Sequence, residues 1–458
     1  VNQASSFLKK PQIPFILWGI LLILSLVYAA ERASFADSAW QFFLKLNTEQ
    51  FIFPQFRYGV FWMAIPSWLF IKLGFPLTAQ LYFFSFSYMA FYAFLGWICY
   101  GPLKNPTACW LVLVSILLGT RQSFVHTISE THEVLAFAAL FYAVLQSALR
   151  PYLKWPFALL IMANTMLTHP IAVFVLAFVV LVEGVKLEKE KMGIQLGLLG
   201  ALGLWSVTRF LFSSGNYDAG QYALLKDIGL NDLLPWHWVS LKFLATRSYY
   251  LYWPTGIVAI WSFIQLWKSG QKWKAILLYA FVGTYTLIAL VTFRAGDSDY
   301  MMEKNFLPSV FMVSLIFLDT LFSCEGGKQE MGSRWLILVC IGGLFICWRG
   351  IQLFSIRLEK MDRLIEASLI KNQSKSYVLS SELNQDIMLA NWALGVETYM
   401  RSLSNLGKPC TIYSVPSLQE FQNTKDFKAV PWENISIEKL NPKFFTSDTT
   451  QYQLLQVE

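Results

Sequence analysis

Acidic residues and histidines gather at the ends of apolar runs in this chain, and three short stretches crowd them closely enough to do chemistry. The first holds Glu31 and Asp37, directly after an apolar run. A carboxylate carried there on a surface helix, flanked by Phe35 and Trp40, is a candidate general base toward an acceptor hydroxyl. Asp37 is the first choice and Glu31 the second, because Glu31 stands beside Arg32 and can be paired as a simple interfacial anchor. The second stretch runs from His126 to Glu133. If helical, His126, Glu130 and Glu133 stand at i, i+4 and i+7 and share one face. That face suits hydrogen bonding to a substrate, acid–base work or a divalent cation, although the spacing is not HExxH. A solvated helix start is the competing reading. The third stretch runs from Arg294 to Asn305. Asp297 and Asp299 form a DxD that could bind a metal–sugar-phosphate, with Glu130 as a further candidate metal ligand. Arg294 and Lys304 are candidates for clamping a phosphate, and ion pairing with the neighbouring acids is the alternative. His169, just before Pro170, joins the substrate-contact candidates.

Some chemistry is excluded. There is no Walker A motif, no GxGxxG after a strand and no GxSxG, which argues against an ATP-driven pump, a dinucleotide enzyme and an α/β-hydrolase. No resident cofactor is expected beyond a candidate divalent cation. No basic stretch interleaved with stacking aromatics marks a nucleic-acid partner.

The elements that must position these residues lie in a bilayer. Of 458 residues, 55% are hydrophobic and only 14% charged, against about 25% in ordinary soluble domains. A span needs about 20 apolar residues. Runs near 12–30, 77–99, 107–120, 133–149, 155–169, 170–185, 193–212, 248–267, 274–293, 305–323 and 335–354 qualify, about eleven in all. The fold class is therefore an all-α polytopic membrane protein. The first run follows Lys9 and Lys10 and reads as an uncleaved helix.

Segment 58–73 is apolar but carries Pro66 and is bounded by Arg57 and Lys72. If it lies in the interface, Lys9, Lys104, Arg150, Lys154, Lys186, Lys272 and Arg334 share one side with most other loop cations. If it crosses, that bias reverses. The positive-inside rule thus makes 58–73 interfacial and the amino terminus cytoplasmic. The first outer loop then spans 31–76, within a transmembrane domain of residues 1–354.

Residues 355–458 have ordinary polarity and read as a small outer α/β domain. An amphipathic helix is expected over 358–370, a strand over 376–380, a helix over 382–404 and a strand over 410–415. The six cysteines show no metal-like spacing and read as inert thiols.

This layout resembles the GT-C superfamily of integral membrane glycosyltransferases. Glu31 and Asp37 take the place of the family's acidic first loop, and Arg121 to Glu133 that of its polar second loop. Glu303-Lys-Asn-Phe-Leu-Pro308 is similar to the basic, proline-containing entry into a late span. Arg57 to Gly74, ending Ile71-Lys-Leu-Gly74, is similar to the apolar juxtamembrane segment. The chain departs from the family in lacking an adjacent acidic pair in the first loop. The resemblance implies transfer of a sugar from a polyprenyl-phosphate carrier to an acceptor on the outer face, and the low cysteine use and compact loops fit a bacterial inner membrane. It implies membrane lipid and a lipid-linked donor as partners. A non-catalytic scaffold subunit bound to envelope proteins and a transporter or flippase of a lipid-linked substrate are the alternatives.

Overall fold

Prolines and cap residues set the helix starts in the computed structural model, which describes residues 12–53, 57–184, 192–212, 234–384, 388–417, 419, 426–446 and 450–455. Lys9, Lys10, Lys186, Lys189 and Lys191, which contribute to the charge bias, lie outside these residues. The chain opens with α1 (Gln12–Val27), the short α2 (Ala29–Ala33) and α3 (Ala36–Thr48), which stops where Glu49 takes a left-handed φ of 52°. A 3-10 turn at Tyr58–Val60 leads into α4 (Phe61–Lys72), then α5 (Leu77–Tyr100) and α6 (Pro106–Leu117). Asn105 caps α6 by accepting from the Ala108 amide at 2.9 Å, and Pro106 occupies a first-turn position where no amide is needed.

Ser129 caps α7 (Glu130–Gln146), and α8 (Pro151–Thr168) ends at His169-Pro170, before α9 (Ala172–Gly184). There follow α10 (Met192–Phe212), α11 (Val239–Ser248), α12 (Trp253–Lys268), α13 (Lys272–Thr292) and α14 (Asp299–Ser323). The last long helix is α15 (Gly327–Ile370), and α16 (Leu394–Leu406) lies within the small terminal region.

The apolar runs read as spans all fold as helices. Four of them, α5, α13, α14 and α15, are long and apolar enough to cross a membrane, and α1, α6 and α9 are apolar but shorter. Helix α14 is the most enclosed of the four, packing against α6, α12 and α13. Ile16, Phe94, Leu204, Ile260 and Phe345 stand outward and exposed on their helices, as side chains facing lipid do.

Segment 58–73 holds a helix of only 12 residues, about 18 Å long at 1.5 Å per residue, against a hydrocarbon core of about 30 Å. Both flanks are tied down. Lys72 Nζ lies 3.4 Å from Glu49 Oε2, and Arg57 Nη1 lies 3.2 Å from Glu130 Oε1. Gly59 sits so close to α8 that a Cβ would fall 2.0 Å from Thr168 Oγ1.

Beyond the helices, β1 (Lys375–Leu379) pairs in parallel with β2 (Thr411–Val415), Lys375 opposite Thr411. Helix α16 makes the crossover. A hairpin of β3 (Phe427–Val430) and β4 (Glu433–Ile435) follows, and β5 (Gln453–Leu454) closes a sheet ordered β2-β1-β5.

Two boundaries differ from expectation. The helix expected over 358–370 is no separate element, because α15 runs 44 residues without a break. No proline interrupts it, and the one charge at the junction, Arg357, is buried against a partner rather than exposed at a helix end. The helix expected over 382–404 begins only at Leu394. Ahead of it, Ala390 adopts a left-handed φ of 57° that breaks helical continuity.

Candidate functional site

Phe35 is extended, Ala36 turns to a φ of +44°, and α3 starts there, so Asp37 projects from the first turn of α3. The loop from Arg121 to Ser129 is laced onto this turn. Thr127 Oγ1 donates to the Arg32 carbonyl at 2.6 Å, and the Ile128 amide donates to Ser38 Oγ at 3.3 Å. The lacing brings His126 Nε2 to 3.2 Å from Asp37 Oδ2. The imidazole stacks on Tyr300, ring centroids 5.9 Å apart, and meets the edge of Phe35 at 6.1 Å. With Asp37 ionised, Nε2 carries the hydrogen and donates.

Burial raises the Asp37 carboxyl, but the His126 hydrogen bond and the charges of Lys304 and Arg57 outweigh it and hold the group below the usual carboxylate range. Burial and then Lys304 push His126 below its ordinary value, against the pull of Asp37 and Glu130, so the ring is neutral near pH 7.

Lys304 is buried one residue past Glu303 on α14, its ammonium 5.6 Å from the Tyr300 ring centre. It makes no hydrogen bond or ion pair among the described residues, although Glu130, Asp37 and Arg57 lie within electrostatic reach. His169 shares that environment with Arg57, Arg209 and Lys304, and its Nδ1 accepts from the Ile171 amide at 3.2 Å.

Asp37, His126, Glu130, Lys304 and His169 therefore stand in one electrostatic neighbourhood. Arg57, Tyr300 and Phe35 stand with them. None of these three was singled out from the sequence as a site residue, and the available signal was an arginine heading a helix too short to span.

The other candidates go elsewhere. His126 is not on a helix, since α7 starts only at Glu130. The i, i+4, i+7 face is limited to Glu130 and Glu133, because Ser129 caps the helix after the histidine. Glu133 faces inward with both carboxylate oxygens buried and without a hydrogen bond, near Lys45. Lys45 donates to Tyr88 Oη at 2.9 Å, and burial pushes its ammonium down to about 7 against the pull of Glu133. Glu31 accepts from Ser355 Oγ at 2.8 Å. Arg32 does not pair with it, because its guanidinium reaches Ser85 Oγ at 3.0 Å and the Phe124 carbonyl. Arg294 turns back toward the Val291 carbonyl at 3.5 Å.

The candidate cation ligands each have a protein partner. Asp297 accepts from the Ser298 amide at 2.7 Å, Asp299 pairs with Arg247, and Glu130 pairs with Arg57. Among the described residues no three His, Cys, Asp or Glu side chains converge on one point. Glu303 has a structural task, accepting from the Arg121 amide at 3.0 Å and from the Ser123 amide at 2.9 Å and hydroxyl at 3.1 Å. It thereby holds the loop that carries His126. The six cysteines are all free thiols.

Comparison with known protein families, with curated proteins and with solved structures finds no match for this chain.

Proposed function

We propose that the chain is a multi-pass membrane glycosyltransferase of about eleven spans, with its amino terminus cytoplasmic and its small α/β domain outside a bacterial inner membrane. It moves a sugar from a polyprenyl-phosphate carrier to an acceptor hydroxyl. One observation carries this reading. A carboxylate with 44% of its side-chain surface open, Asp37, shares an electrostatic environment with a buried ammonium, Lys304, that has no hydrogen-bond partner among the described residues. An acid that can face an acceptor beside a cation with unused donors is the charge pattern a displacement at a sugar phosphate requires.

In the proposed step the acceptor oxygen attacks the anomeric carbon while the bond from that carbon to the phosphate oxygen breaks. The acceptor proton passes to Asp37 and then to water, and the leaving phosphate keeps the electron pair. Lys304 and Arg57 stabilise its charge. Because His126 and the nearby cations keep Asp37 ionised, it is in the form that accepts the acceptor proton as that proton is released in the transition state.

The scaffold reading draws on a different observation. Glu31, the second acid of the first loop, is committed to Ser355, which leaves Asp37 without a neighbouring free acid on α2 or α3. Release of polyprenyl phosphate from a panel of polyprenyl-phosphate sugars by the purified chain in lipid nanodiscs separates the two. Release that collapses in Asp37→Asn supports the transferase, and no release from any donor favours the scaffold.

A further inference from the structure

The amide of Ala36 donates to Glu397 Oε1 at 2.7 Å, a bond across 361 positions of sequence between the turn before Asp37 and helix α16 of the terminal domain. We propose that Glu397 is a positioning residue for Asp37: by accepting from Ala36 it holds the start of α3 in the geometry that aims Asp37 at His126. The inference takes its functional meaning from the reading of Asp37 as the site carboxylate.

Several observations point the same way. Ala36 has a φ of +44°, a left-handed conformation that a residue with a Cβ keeps only when its surroundings enforce it. Its amide is one of the unsatisfied donors at a helix N-terminus, and α3 has no side-chain cap of its own. Glu397 supplies that acceptor from outside. Its second oxygen is fixed by Arg357 on α15, which also donates to the Leu389 carbonyl at 3.2 Å. Glu397 and Arg357 are 0% and 2% exposed, so neither has a solvent-facing alternative. The Arg357 guanidinium lies 5.3 Å from the ring centre of Phe35, which in turn packs on His126 and Tyr300.

The terminal domain also grips the far end of α3. Asn441 donates from its side chain to the Leu46 carbonyl at 3.0 Å and from its amide to Asn47 Oδ1 at 2.8 Å. Phe43, midway along α3, packs on Phe427 and Phe445. The helix that carries Asp37 is thus held from both ends by the domain that follows the last long helix.

A bare docking role for the Arg357–Glu397 pair is the competing account, and the test separates them. The full chain is labelled with 13C-histidine in nanodiscs, the His126 signal being identified by its loss in His126→Gln. Arg357→Met/Glu397→Gln removes both charges but keeps an oxygen for the Ala36 amide. Arg357→Met/Glu397→Leu removes the oxygen as well, and neither leaves a lone buried charge. The Gln pair should keep the wild-type His126 signal, and the Leu pair should move it to the position seen in Asp37→Asn. Adding Ala36→Gly to the Leu pair should bring it back, because glycine adopts a positive φ without an external clamp.

A Leu pair that leaves the signal unmoved overturns the proposal. So does a Leu pair that moves the signal or loses the folded spectrum without recovery by Ala36→Gly, since Glu397 is then a docking residue only. Absence of sugar transfer in the wild type would overturn the transferase reading and leave these outcomes legible.

Discussion

His126 Nε2 lies 3.2 Å from Asp37 Oδ2, and the two side chains differ sharply in exposure, at 1% for the imidazole and 44% for the carboxylate. The ring is a fixed donor behind the acid, and the acid is the member that can meet a second molecule. A buried histidine serving an open carboxylate orients it and keeps it ionised.

Asp37→Asn should fold normally and lose about 10²–10⁴ in the rate of polyprenyl-phosphate release, the usual range for a removed general base. The same variant should move the His126 signal in 13C-histidine spectra. Unchanged turnover would remove Asp37 from the reaction.

Lys304→Ala should weaken donor binding with little change in the rate at saturating donor. A hydrogen bond to a charged group contributes about 1.5–3 kcal/mol, so the donor Kd should rise about 10- to 140-fold. Titration with a non-hydrolysable polyprenyl phosphonate sugar measures it. An unaltered Kd would place the phosphate elsewhere.

Gly350→Ala should destabilise the fold by about 1–3 kcal/mol, as overpacking does. A Cβ there would fall 2.0 Å from the Arg121 carbonyl oxygen, which is backbone and cannot swing aside. The displaced loop also carries His126. Thermal melts in nanodiscs should show the loss, and an unshifted Tm would mean that α15 can back away.

Stability should fall as pH drops below about 6.5, the ordinary histidine value. His126 has a depressed folded value, so the unfolded chain takes up its proton first and gains from acid. Asp37 is also depressed, and its contribution is present above its unfolded value of about 3.9 and is lost as pH falls through its lower folded value. Tm against pH should show the first decline in wild type and a flatter curve in His126→Gln. His132, which burial pushes down to about 3, adds to the same decline, so equal slopes would mean that His126 has no share in it.

Lys45 produces a second pH dependence of the opposite range. Its folded value is pushed down to about 7, whereas an unfolded lysine titrates near 10.4. Between those values the unfolded chain holds a proton that the folded chain lacks, so stability should rise with pH there. Lys304 and Lys428 are depressed by burial as well, so Lys45→Met should flatten that slope without removing it, which chemical denaturation between pH 7 and 10 reads directly.

The sequence by itself determined where the apolar helices run. Apolar runs and the His169-Pro170 break act over a few residues, so their meaning does not depend on the rest of the chain. It also carried the shortness of segment 58–73, because the flanking Arg57 and Lys72 are local features, although α4 runs unbroken through Pro66. Two of the five described strands, β1 and β2, were legible within a residue from their β-branched and aromatic runs, whereas β3, β4 and β5 and the parallel pairing of β1 with β2 were not read from the sequence.

Only the tertiary structure decided which polar residues meet. Asp37 and His126 are 89 positions apart, and Ala36 and Glu397 are 361 apart. Phase along a helix placed His126 beside Glu130 and Glu133, but Ser129 starts the helix too late for that argument to reach it. Glu31 and Arg32 adjoin in sequence, yet they point to Ser355 and Ser85, since neighbours on a helix face different directions. Buried polar groups must find partners wherever packing places them, and that placement is a property of the whole bundle rather than of any local stretch.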